Sequence, residues 1–457
     1  MSATAKDRHP PKLTPEYCKG CGRCITACAQ HCIEPEAEVH ALTGHVPVRL
    51  QLEACTACGL CVDACPEPYG LCSEVAEPGH ATFVRAEPLP DVTVPLPAFP
   101  PLMLKGTHAS ALGAVLAGCR HFFGYPITPS TEGAELMAEL LPQLDGVFLQ
   151  AVSELAAINM MYGCGGAGLR SMTFTSSPGF SLMLEGISYM IGAEVPGVVV
   201  NVMRGGPGLG NIAPEQADIK LACRGLGHGN TRAIVLAPAT PQEMLDLTLL
   251  AFELAFKYRN PVVVLADGYL GQMTGRVTLP TTFVKPGLPD WAVYGDRGHR
   301  GNLISSIHLG EDDLEEHNRF LLEKYQRMTN AEQRAEMYCC EDADVLLLAC
   351  TTPARMAKGA VQALRNRGVR AGLFRPVTLW PFPTRQLVPL IRRASRLVVV
   401  EASDRQLEDE LRLALSRAGL RDHPTIEGVR RYGGVLPRQS EIVEFVCEGL
   451  EARQVPS

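Results

Sequence analysis

Eight cysteines near the start of the chain are spaced as Cys18-x2-Cys21-x2-Cys24-x3-Cys28 and Cys55-x2-Cys58-x2-Cys61-x3-Cys65-Pro66. This doubled spacing holds two four-iron clusters. A tight loop supplies three thiolates, and the fourth comes from the other run. Cys18, Cys21, Cys24 and Cys65 are thus assigned to one [4Fe–4S] cluster, and Cys55, Cys58, Cys61 and Cys28 to the other. Such centres move single low-potential electrons, so the chain must be coupled to a reaction that makes or uses them. Zinc takes two C-x2-C pairs rather than two runs of four, and a disulfide framework needs an oxidising compartment.

Cys28 is followed by Ala29, where the bacterial ferredoxin pattern has proline. Cys32 and Cys72 lie nearby. They read as small buried residues, with substitute ligation as the alternative. The remaining cysteines are scattered, and the N-terminus has no apolar signal segment. A reducing cytoplasm is the expected location. A net charge of −7 argues against nucleic acid as a partner, since binding it needs a basic face. No apolar run approaches the roughly 20 residues of a membrane span.

Further along, Tyr125-Pro126-Ile127-Thr128-Pro129-Ser130-Thr131 follows a short strand pattern. Two prolines fix the backbone around Thr128, so its hydroxyl is placed to meet a small anionic substrate. Ser130 or Thr131 can equally serve as an N-cap for the helix expected from Glu132. Glu154 opens an otherwise apolar helix, either as a partner of the helix dipole or as a functional carboxylate. Thr175-Ser176-Ser177-Pro178-Gly179-Phe180 reads as a strand-to-loop turn that lets backbone approach a ligand. Arg204 stands at the end of the buried strand Val198–Met203, before Gly-Gly-Pro-Gly-Leu-Gly. Pro207 and Pro214 keep those glycines from opening a helix, so they are not a dinucleotide fingerprint. The segment reads as a mobile loop whose arginine suits bidentate capture of a carboxylate.

These residues need elements to hold them. Strand and helix patterns alternate from Lys105 onward, the signature of a sheet with helices on both faces. Strands are expected at 121–125, 172–175, 198–202, 262–265, 344–349, 371–374 and 397–401, and helices at 110–118, 132–141, 153–162, 312–327 and 353–366. Between the cysteine runs, 39–50 reads as a polar hairpin turning at Thr43-Gly44. The expected division is a cluster domain over 1–86, a stiff proline-rich linker over 87–102, an α/β domain over 103–285, a linker over 286–340 and a second α/β domain over 341–457.

Together the segments resemble the α subunit of the 2-oxoacid:ferredoxin oxidoreductases. The resemblance runs from about residue 103 to the end. It rests on YPITPST (125–131), SELAAINMMYG (153–163), SSPGFSLMLEGISY (176–189), RGGPGLGNIAPEQAD (204–218), GLGHGN (225–230), KYRNPVVVLADGYLGQM (257–273) and RPVTLWPFP (375–383). GPGLGNIAPEQAD and GHGN are most similar to the branched-chain (3-methyl-2-oxobutanoate) subtype, with the 2-oxoglutarate subtype next. The resemblance implies an α/β fold class. A pyrimidine-type thiamin diphosphate domain is joined to a transketolase C-terminal-like domain, preceded by a small α+β bacterial-ferredoxin-like domain.

By the same resemblance, Glu154 faces the thiamin aminopyrimidine, Thr128 and Arg204 orient the substrate, and Tyr125, Pro126, Ile127 and Ser177–Phe180 line the cofactor. The implied activity is CoA-dependent oxidative decarboxylation of a 2-oxoacid, with electrons leaving through the clusters to an external ferredoxin or another acceptor. The G-D-G motif that holds Mg²⁺ and the diphosphate in this family does not occur: Asp267-Gly268 follows Ala266, and Gly295-Asp296 precedes Arg297. A β subunit is therefore expected to carry that half-site, and a γ-type subunit to complete the complex. The family's N-x-G-Q-M stretch is replaced here by Ala402-Ser-Asp-Arg-Gln-Leu-Glu408. The rivals are a non-catalytic electron-transfer or docking subunit and a nicotinamide dehydrogenase.

Overall fold

The computed structural model describes residues 9–41, 43–67, 70–73, 89–295, 298–299 and 301–454, with side chains as far as 450. The expectations at 1–8 and 74–88, and at Asp296 and Arg297, fall outside the described residues. The chain forms two units, Met1–Phe83 and Val84–Ser457.

In the first unit, Ile33–Pro35 pairs antiparallel with Val48–Leu50, and Lys12–Leu13 with Leu71–Cys72. The hairpin arms thus begin earlier than expected from residue 39. The turn near Thr43-Gly44 is present, with Gly44 N–H donating to His40 O. Two short helices, Arg23–Ala27 and Leu60–Asp63, each follow a left-handed glycine: Gly22 at φ 71° and Gly59 at φ 82°. Only glycine takes that conformation without strain. It folds each cysteine loop back and buries Cys24 and Cys61 in the first helical turn.

The second unit contains two large sheets and two two-stranded ones. The first draws on β1 (His121–Gly124), β2 (Val147–Gln150), β3 (Ser171–Thr175), β4 (Gly197–Met203), β5 (Ile234–Leu236) and β6 (Pro261–Asp267). The remaining strands of the two large sheets are β7 (Ala335–Tyr338), β8 (Val345–Leu348), β9 (Ala371–Pro376), β10 (Thr378–Trp380), β11 (Arg396–Glu401) and β12 (Ile426–Arg430). The seven-stranded sheet has the order β10-β5-β6-β4-β3-β1-β2, and the five-stranded sheet β7-β9-β8-β11-β12. All pairs are parallel except β10 on β5 and β7 on β9. β4 and β6 are buried at every residue. Their Val-rich runs suit central parallel strands covered on both faces. β10 follows β9 directly but joins the other sheet, so RPVTLWPFP carries the chain across. Arg375 is buried within it, paired with Glu243 and Glu336.

The proline-rich stretch is extended, and it is also paired. Val92–Pro95 lies antiparallel to Thr282–Lys285, and Leu102–Lys105 to Thr274–Val277. Within 286–340 the chain builds the 21-residue helix Glu311–Ala331 and then β7, an edge of the second sheet. Among the described residues no helix is long and apolar enough to cross a membrane.

Candidate functional site

The cysteines of the first unit surround two recesses. One, of about 340 Å³, is lined by Cys18, Cys21, Cys24 and Cys65. The other, of about 360 Å³, is lined by Cys28, Cys55, Cys58, Cys61 and also Cys32. Three thiols from one run meet the fourth from the other in both. Burial pushes the Cys24 thiol up to about 11, and Cys65 and Cys18 add to the effect. Burial also raises Cys61, with help from Cys28 and Cys58. Among the described residues, no group of three or more His, Cys, Asp or Glu is gathered for a single ion. Thiols spread around a recess suit a cube of four irons rather than one zinc, so the donor set fits the two clusters.

In the seven-stranded sheet the chain runs from β1 to edge strand β2 and returns on the other side of β1 as β3. The strand order reverses between β1 and β3, and ligands of such sheets bind at the carboxyl ends beside the reversal. Three of the expected segments converge there. The Tyr125–Thr131 loop follows β1. The helix α1 (Glu154–Gly166) follows β2, its first turn capped by the Ser153 hydroxyl, which accepts from Ala156 N–H at 3.2 Å. The helix α2 (Ser177–Gly192) follows β3.

Glu154 is only 4% exposed. Among the described residues its carboxylate has no hydrogen-bond or ion-pair partner. A Cβ at Gly179 would lie 2.4 Å from Glu154 Oε1 and 2.5 Å from Thr175 Oγ1. Only glycine therefore admits the carboxylate. A carboxylate held there without a protein partner can accept a hydrogen bond from a group bound in the crevice. The Ser176 hydroxyl and Asn201 Oδ1 are buried without partners at the same strand ends. These orphaned polar atoms, with the room left at Gly179, fit the aminopyrimidine side of thiamin diphosphate.

Several expectations change. Ser177-Pro178-Gly179-Phe180 is not a loop turn but the first turn of α2, where Pro178 needs no hydrogen bond for its nitrogen. The loop after Arg204 is tied rather than open: Gly205 N–H donates to Ala213 O, Asn211 N–H to Gly205 O, and Gly206 N–H to Glu215 Oε2. Arg204 is 7% exposed, with one terminal nitrogen on Thr128 O at 2.9 Å and the other on Leu209 O at 3.0 Å. Its Nε–H is buried without a partner. Thr128, Tyr125 and Pro126 are exposed, Ile127 half-buried. Neither Ser130 nor Thr131 caps the following helix by its side chain. Ser130 Oγ donates instead to Ile127 O at 2.8 Å.

Several supporting residues lacked a signal of their own. Asp218 Oδ2 accepts from the Ser177 hydroxyl at 2.6 Å and from Asn201 Nδ2 at 2.9 Å, and Ser177 Oγ accepts from Arg204 N–H at 3.1 Å. Burial raises the Asp218 carboxyl against these bonds. The arginine and the α2 turn are thus fixed to one another. Gln216 joins the two sheets: its amide donates to Cys350 O and Thr351 Oγ1 and accepts from Ala402 N–H. Both lie in the run APEQAD, whose polar residues after a glycine loop were the available clue.

A doubly wound α/β sheet with a buried glutamate at its switch point is followed along the chain by a second α/β sheet and preceded by a two-recess cysteine unit. Residues 112–310 match the family described as "Pyruvate flavodoxin/ferredoxin oxidoreductase, thiamine diP-bdg", residues 343–442 "Pyruvate:ferredoxin oxidoreductase core domain II", and residues 17–68 "4Fe-4S dicluster domain". The chain is 47% identical over 348 residues to the ketoisovalerate oxidoreductase subunit VorB of Methanothermobacter thermautotrophicus, covering 76% of this chain and 97% of the relative. It is 37% identical over 350 residues to the 2-oxoglutarate synthase subunit KorA of Archaeoglobus fulgidus, covering 75% and 98%. Among solved structures it resembles the 2-oxoglutarate:ferredoxin oxidoreductase of Magnetococcus marinus, with a TM-score of 0.68 and 27% identity, over 76% of this chain and 65% of that one. The chain belongs to the 2-oxoacid:ferredoxin oxidoreductase subunits and carries a dicluster [4Fe–4S] domain at its N-terminal end.

Proposed function

We propose that this chain is the α-type subunit of a CoA-dependent 2-oxoacid:ferredoxin oxidoreductase that prefers a branched-chain 2-oxoacid. The observation that carries the reading is Glu154, a buried carboxylate without a partner at the switch point, set against Gly179. Thiamin diphosphate, when bound, supplies the chemistry that releases carbon dioxide from a 2-oxoacid. Glu154 provides the acceptor for its aminopyrimidine side, and Ser177–Phe180 and Tyr125–Ile127 form the walls. The unpartnered Arg204 Nε–H and the Thr128 hydroxyl meet the 2-oxoacid. The eight cysteines hold the clusters that take electrons singly towards an external ferredoxin or another acceptor.

The chain has no G-D-G motif, so Mg²⁺ and the diphosphate belong to a β subunit, and a γ-type subunit is expected beside it. Exposed apolar residues around the crevice, Tyr125, Val152, Leu155 and Leu182, are a surface for such a partner. Among the described residues no two cysteines are joined in a disulfide, in keeping with a reducing cytoplasm. The VorB relative favours a branched-chain substrate and the KorA relatives the 2-oxoglutarate alternative. A panel of 2-oxoacids, assayed for CoA-dependent dye reduction with the anaerobically co-purified complex, tests the reading. No turnover with any 2-oxoacid, or turnover by this chain alone, overturns it.

A further inference from the structure

The cluster assignment leaves Cys32 unused, yet the fold places it with the ligands. Cys32 is 3% exposed and lines the second recess beside Cys28, Cys55, Cys58 and Cys61. Its thiol donates to Gln30 O at 3.6 Å. Its N–H donates to Cys28 Sγ at 3.3 Å, and its carbonyl accepts from Gln51 N–H at 2.8 Å. A tight reversal brings it there: His31 N–H donates to Cys28 O, and His31 itself is left-handed at φ 50°. A non-glycine residue in that conformation carries strain, so the placement of Cys32 is enforced by its surroundings. The other spare thiol, Cys72, lies on the strand Leu71–Cys72 and is not among the residues lining either recess. The two recesses also differ at their distant ligands. Cys65 is followed by Pro66, which stiffens its turn, whereas Cys28 is followed by Ala29.

We propose that Cys32 is an alternative fourth ligand of the second cluster, which Cys55, Cys58 and Cys61 hold together with either Cys28 or Cys32. In the exchange the Cys28 S–Fe bond breaks, a Cys32 S–Fe bond forms, and the Cys32 thiol proton passes to the Cys28 sulfur. No electron moves, and the iron and sulfide count is unchanged. The proposal rests on the two-cluster reading of this unit and is independent of the thiamin site.

The test measures iron, acid-labile sulfide and the reduced-state EPR spectrum of the full-length protein, purified anaerobically. Cys28→Ala is expected to keep about eight irons per chain, with one cluster's signal altered. Cys28→Ala/Cys32→Ala is expected to fall to about four, as is Cys65→Ala, whose recess is lined by no fifth thiol among the described residues. Loss of a cluster in folded Cys28→Ala, or retention of both in the double variant, overturns the proposal. Should Cys28→Ala not fold, Cys32→Ala decides. It is expected to keep both clusters but to lose one several-fold faster than wild type under an iron chelator, and equal rates overturn the proposal. A wild-type chain with only four irons would instead overturn the two-cluster reading itself.

Discussion

Asp267, the last residue of β6, accepts both the backbone N–H of Thr352 at 2.8 Å and its hydroxyl at 2.7 Å. Thr352 lies in the first turn of the helix Thr351–Arg365, which follows β8 of the other sheet. One buried carboxylate thus satisfies donors at a helix start, where backbone N–H groups have no internal partner, and ties the two layers together. Asp267→Ala is expected to destabilise the chain by about 2–4 kcal/mol, because the buried Thr352 donors lose a charged acceptor. A urea unfolding series reads this. An unchanged midpoint would show that the layers are held elsewhere.

Glu154→Gln removes the charge and keeps the shape. Dye reduction driven by a 2-oxoacid is expected to drop about 10²- to 10⁴-fold, the usual range for losing a group that handles a proton. Iron content and unfolding midpoint should stay as in wild type. Full activity in the reconstituted complex would remove Glu154 from the chemistry.

Burial pushes the Glu401 carboxyl up to about 7, against hydrogen bonds from Ser403 and the Leu407 N–H and the charge of Arg430. The folded chain therefore holds this proton more tightly than the unfolded chain, where the carboxyl titrates near ~4.3. Its contribution to stability is complete below that value and is lost as pH rises through about 7. Glu401→Gln has no such proton. Relative to wild type it should gain about 3 kcal/mol between pH 4 and pH 8. Parallel pH profiles of the two unfolding free energies would contradict this.

Arg405 precedes the helix Gln406–Arg417 in a left-handed conformation at φ 60° and is exposed. Glycine takes this conformation without a Cβ clash. Arg405→Gly is expected to raise stability by about 1 kcal/mol, seen as a higher melting temperature. A lower one would mean that the arginine side chain holds something its strain conceals.

The sequence makes some of this plain and leaves the rest obscure for physical reasons. The cysteine runs could be sorted into two sets because cluster spacing is local geometry. Val198–Val200 and Val262–Leu265 read as buried strands because their apolar residues are unbroken by polar ones. Ser177–Phe180 misread as a loop because serine, proline and glycine serve turns and helix starts alike, and only tertiary contacts separate them. Arg204 was visible as a candidate, but its bonds to the Thr128 and Leu209 carbonyls depend on how a glycine loop folds back. Asp218 and Gln216 gain their meaning from partners as far off as Ser177 and Ala402, a distance along the chain that no local pattern spans. The proline-rich stretch looked like a free spacer because strand partners at 274–285 lie far downstream.

Thr378–Trp380 completes the first sheet with backbone from beyond the start of the second. A fragment cut anywhere between Asp267 and Thr378 would leave the Ile234–Leu236 edge bare, with raw amide and carbonyl groups open to any passing strand. Recombinant halves of this protein should clump when made apart and stay dispersed when co-expressed, because each half holds a strand that the other half's sheet edge needs.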